Sequence, residues 1–117
     1  MVKADYLIDM HGGSKRSTLA ALAGIDGAAP DGIVKRSYDM AEAFNTDLII
    51  VMQPKGEGPP KAMFQIASRN GAPSLIIGMG RMGFNAEDPA RGARGVLNVL
   101  KHLKMLDGEP ELRVTPR

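Results

Sequence analysis

The sequence predicts an α/β fold, a mostly parallel twisted sheet with helices packed on it. Three observations predict it. Apolar runs at Tyr6-Leu7-Ile8, Leu48-Ile49-Ile50-Val51 and Leu75-Ile76-Ile77 have the length of strands. Segments with apolar residues at helical spacing lie between and after them, which is the alternation of a parallel-type sheet. The 117 residues, 44% of them hydrophobic, suffice for one compact domain, and no internal repeat divides them.

Each element follows in chain order. Ala4 to Met10 reads as a strand, apolar on both faces and therefore central. Ser14 to Ser17 is a polar, basic loop. Thr18 to Ile25 is apolar and Ala-rich, open to a short strand or a helical turn, with strand preferred. Asp26 to Gly32 carries Gly27, Pro30 and Gly32 and reads as a loop. Asp31 is placed to cap a helix from about Gly32 to Phe44, with Ile33, Val34, Tyr38, Ala41 and Phe44 on its apolar face and Asn45 at its end. Asp47 to Met52 is the next strand, and the Pro- and Gly-rich Gln53 to Pro60 a loop. Lys61 to Arg69 reads as a short helix with Met63, Ile66 and Ala67 on one face, stopped by Asn70-Gly71. Pro73 to Met79 is a strand, followed by a turn over Gly80 to Gly83. A last helix starts near Glu87 or Asp88, with Pro89 in its first turn, and its apolar face runs through Leu106 to a stop at Gly108. Residues 1–108 thus form the domain, and 109–117 an extended tail without a visible partner.

Composition excludes several functions. A net charge of +2 with dispersed Lys and Arg, and 4% aromatic residues, leaves neither a basic block nor stacking platforms for nucleic acid. The absence of cysteine removes disulfides, thiolate zinc sites and cysteine nucleophiles together. The apolar runs are too short to span a bilayer, and Met1-Val2-Lys3 leads into a strand instead of a signal peptide, so a cytoplasmic protein is expected.

His11 is the principal candidate site residue. It closes the first apolar run and precedes Gly12-Gly13, at the carboxyl end of a strand where ligands gather in α/β sheets. Asp9 lies two residues earlier, on the same face of a strand, placed to orient the imidazole. A strand-end histidine that only forms a hydrogen bond is the alternative. His102, between Lys101 and Lys104, reads as solvated. Gly12-Gly13 and Gly78-Met79-Gly80 match no phosphate-binding motif and read as tight turns. Gln53 to Pro60 is long enough to form a flap, in which Lys55 could meet a carboxylate or remain solvated. Met63, Met79, Met82 and Met105 are expected to fill the core. No serine sits on a Gly-x-Ser-x-Gly elbow.

Three segments taken together, Tyr6-Leu7-Ile8-Asp9-Met10-His11-Gly12-Gly13, Pro73-Ser74-Leu75-Ile76-Ile77-Gly78-Met79-Gly80 and Arg94-Gly95-Val96-Leu97-Asn98-Val99-Leu100-Lys101-His102-Leu103, resemble the succinylglutamate desuccinylase/aspartoacylase family of zinc-carboxypeptidase-like deacylases. Met105-Leu106-Asp107-Gly108-Glu109-Pro110 resembles the junction to that family's C-terminal β domain. The resemblance covers nearly all of the chain from Ala4 and implies part of a zinc-carboxypeptidase-like domain. It also implies zinc held by a His and a Glu of an upstream His-x-x-Glu motif and by the histidine of an Asp-Leu-His strand. That histidine corresponds to His11, with Asp9 kept and Met10 in place of leucine. The family's general base, a glutamate five residues after a proline, corresponds to Gly78.

The departures are as informative as the match. Only ten residues precede His11 and none forms His-x-x-Glu; the family's upstream arginine for the substrate carboxylate is missing as well. The expectation is a truncated, divergent deacylase-like protein with no catalytic residue of its own, zinc weak or absent, and no activity as an isolated chain. The alternative is a non-catalytic binding or assembly subunit. A sheet without its early strands has an unpaired edge, so a homo-oligomer, or a complementary chain bringing the missing ligands, is expected. Any substrate would be a small N-acyl amine.

Overall fold

The computed structural model describes residues 4–12, 21–53, 60, 62–79 and 87–112. They form β1 (Leu7–Gly12), β2 (Leu22–Asp26), α1 (Asp31–Phe44), β3 (Leu48–Met52), α2 (Met63–Arg69), β4 (Ser74–Met79) and α3 (Glu87–His102). The strands make one sheet in the order β1-β4-β2-β3. The α/β class holds, and the sheet is mixed. β1 is parallel to β4 and β2 to β3, but β2 and β4 join the two pairs antiparallel. From Leu22 onward the ambiguous Ala-rich segment is a strand, and it lies inside the sheet, with β1 and β3 at the edges of the described strands; residues 14–20 lie outside the described residues.

Alternation of side chains gives the sheet two unlike faces. Ile8, Leu75, Ile77, Ala23 and Ile25 point to one face, where Met40, Ala41 and Phe44 of α1 and Val99 of α3 complete the core. The two helices pack closely because Gly95 lies against Phe44: a Cβ there would come within 2.3 Å of the ring. The other face carries Leu7, Asp9, His11, Ile76, Gly78, Leu22, Asp26, Leu48 and Ile50, and α2 packs on it.

Several local expectations are corrected. α1 starts at Asp31 itself, behind an N-cap at Pro30 that makes no side-chain bond, so Asp31 contributes a first-turn charge and not a cap. The buried stripe of α1 is Ser37, Met40, Ala41, Ala43 and Phe44, whereas Tyr38 is exposed. Asn45 ends the helix in the left-handed conformation as expected, with its N–H donating to the Ala41 carbonyl. In α2, Phe64, Ala67 and Ser68 are buried. Met63 and Met105 are solvent-facing, and Met40 is the methionine that fills the core. α3 stops at His102, before Leu106, because Lys104 turns to φ 63 and breaks the helical ladder. The tail does have a partner. The Asn98 side chain donates to the Glu111 carbonyl at 3.1 Å and accepts from its N–H at 2.9 Å. The turn at Gly80 to Gly83, the flap residues 54–59 with Lys55, and Met82 lie outside the described residues.

Candidate functional site

β1 runs on through His11 to Gly12, so the imidazole is part of the strand and does not follow it. Asp9 and His11 share a face, as their spacing predicts, and the His11 Nε2 lies 3.1 Å from an Asp9 carboxylate oxygen. The imidazole is 55% exposed and the carboxylate 18%. The carboxylate therefore holds one ring nitrogen and leaves Nδ1 as the nitrogen open to a ligand.

The parallel register sets His11 directly beside Gly78. Paired residues of parallel strands project to the same side, so a side chain at 78 would stand next to the imidazole. A Cβ built on Gly78 would meet only Leu22, at an ordinary 3.5 Å. The two positions singled out from the sequence are thus brought together, one with a functional group and the other without. His102 is exposed on the last turn of α3, a different element.

Among the described residues the donor set does not fit a catalytic zinc. Such a site uses three protein ligands and keeps a fourth position for water. Among the described residues no group of three His, Cys, Asp or Glu side chains is arranged to hold a metal. The chain has two histidines and no cysteine, and the second histidine is elsewhere.

Two further ion pairs were not visible in the sequence. Asp26, its side chain wholly buried, receives Arg69 Nε at 2.7 Å and also accepts the Ala28 N–H, so β2, its turn and α2 are tied together. The hydrogen bond to Asp26 raises the Arg69 pKa above its ordinary value. Arg91 of α3 grips both oxygens of Asp47, at 3.1 and 3.0 Å, and Asp47 accepts the Ala21 N–H as well. The partners are 43 and 44 residues apart, and only the sheet order brings them into contact. Both pairs knit elements together, Asp26–Arg69 joining β2 to α2 and Asp47–Arg91 joining α3 to the turn before β3, which is a structural role.

No family model and no curated protein matches the chain. Solved structures do. The chain is similar to a succinylglutamate desuccinylase/aspartoacylase from Rhodobacter sphaeroides, with 28% identity and a TM-score of 0.77 over 92% of this chain and 31% of the other. The product-bound ectoine utilization protein EutE (DoeB) from Ruegeria pomeroyi aligns at 22% identity and TM-score 0.78, over 97% of this chain and 34% of that one. A succinylglutamate desuccinylase from Silicibacter aligns at 22% identity and TM-score 0.74, over 97% and 33%. The chain spans about a third of the length of each. Over that third it has the fold of the succinylglutamate desuccinylase/aspartoacylase structures, the resemblance that its own motifs carry.

Proposed function

We propose that this chain is a divergent, incomplete relative of zinc-dependent deacylases, the amidohydrolases of N-acyl amino acids, and that it is inactive by itself. The observation that carries the proposal is the pairing of His11 with Gly78. One imidazole, oriented by Asp9, stands at the strand end where the resemblance expects a zinc ligand, and the neighbouring position, where it expects the base, has no side chain. Bound zinc would supply Lewis acidity and an activated water in such enzymes. Here His11 contributes one ligand, Asp9 fixes its tautomer, and no residue of the described site takes a proton from water. Loss of general-base assistance alone removes about 10²–10⁴-fold of rate.

The same observation favours a second reading, a non-catalytic binding or assembly subunit that keeps the deacylase-like sheet. The two readings differ in whether another chain completes the site. A complementary polypeptide bringing a His, a Glu and a substrate-binding Arg would create a zinc-dependent activity on a small N-acyl amine, whereas a binding subunit would gain none. A cytoplasmic location belongs to the proposal, and no helix among the described residues is long and apolar enough to cross a membrane.

The test is an assay of the purified chain against a panel of N-acyl amino acids with added zinc. No turnover is the expected result. Zinc-dependent turnover by the chain alone, abolished in His11→Ala, would overturn the proposal.

A further inference from the structure

The two outer strands of the described sheet are protected very differently. β1 carries Asp9 and His11 within the strand, and charges on an edge discourage uncontrolled strand pairing. β3, Leu48-Ile49-Ile50-Val51-Met52, carries no charge at all. Its side chains are open to solvent on both faces, with Leu48 49%, Ile50 41% and Val51 42% exposed. Its backbone is open as well. The Leu48 N–H donates inward to Ala21, and the Met52 carbonyl accepts inward from Gly27. The N–H and C=O of a strand residue point to the same side and alternate along the chain, so those of Ile49 and Val51 face outward. β3 pairs with β2 alone among the described residues.

We propose that this edge pairs antiparallel with β3 of a second copy of the chain, joining two four-stranded sheets into one of eight strands about a twofold axis. A copy is the occupant that the strand's own chemistry selects. A twofold interface presents the same patch twice, and a patch succeeds in this only if it is self-complementary. An uncharged strand with apolar residues on both faces meets that condition in any antiparallel register, since every cross-strand pair is apolar. β1 does not meet it, because in most registers Asp9 would be brought beside an apolar residue or beside the Asp9 of the copy. In the resulting order β1-β4-β2-β3 is followed by its mirror sequence, which leaves both β1 strands outermost. The His11 sites then lie at opposite ends of the eight-stranded sheet, and neither completes the other. The inference is independent of the deacylase reading, since it rests on β3 alone.

The experiment is sedimentation equilibrium on the purified full chain at micromolar concentration, with three variants. Val51→Pro removes an outward N–H and leaves the inward ladder to β2 in place. Ile50→Lys puts a charge on the pairing strand, and Met10→Lys is the matching change on β1. The wild type and Met10→Lys are expected at twice the chain mass. Val51→Pro and Ile50→Lys are expected as monomers with unchanged circular dichroism. Either variant suffices if the other fails to fold. A monomeric wild type, a dimer that survives both β3 variants, or a dimer lost in Met10→Lys would overturn the proposal.

Discussion

Two carboxylates on the same sheet face, at its two ends, hold a basic side chain in opposite ways. Asp26 is fully buried, held by Arg69 and by a backbone N–H, under α2. Asp9 holds His11 at the rim, where the imidazole is more than half exposed and its strand neighbour is Gly78. The first pair has both carboxylate oxygens engaged, which is how a charge is tolerated in a core. The second is under-used by the fold, with one ring nitrogen and an empty neighbouring position left over. A buried carboxylate–base pair and one left open to solvent differ less in distance than in what surrounds them.

That contrast can be broken by mutation. Asp26→Ala leaves the Arg69 guanidinium without its carboxylate and Ala28 without its acceptor. Breaking a fully buried pair costs about 3–5 kcal/mol; here a loss of about 3 kcal/mol in urea unfolding is expected, as Arg69 keeps some solvent contact. At the closed side, Gly95→Ala pushes a methyl into the Phe44 ring and should cost about 2 kcal/mol by the same measurement. At the open end, Gly78→Glu should change stability by less than about 1 kcal/mol, because its Cβ meets only Leu22 at contact distance. His11→Ala should be smaller still, within about 0.5 kcal/mol. If His11→Ala unfolded the chain as readily as Asp26→Ala does, the open end would be structural and the contrast false.

Some of this was legible in the chain. Leu48-Ile49-Ile50-Val51 and Leu75-Ile76-Ile77 announced strands because uninterrupted apolar runs of that length have few alternatives. Asp9 and His11 were legible as a pair because the period of a strand fixes which residues share a face. The motifs around them also carried the family resemblance, and the structural neighbours bear it out. Helix ends were read less well. The apolar periodicity of α3 continues to Leu106, but the helix ends earlier at a left-handed Lys104, and Asn98 then anchors the returning tail. The antiparallel junction of β2 and β4 was invisible for a physical reason. Periodicity reports which side of a strand is apolar and says nothing of which strand lies next to it. Asp26–Arg69 and Asp47–Arg91 depend on that order, so they stayed hidden with it.

The central claim is that His11 stands without the companions a catalytic metal requires. A calorimetric titration of zinc into the metal-free chain tests it most directly. The account predicts weak binding without a saturating equivalence point, and little change in His11→Ala. Tight uptake of one zinc per chain, lost in His11→Ala and accompanied by hydrolysis of an N-acyl amino acid, would contradict it.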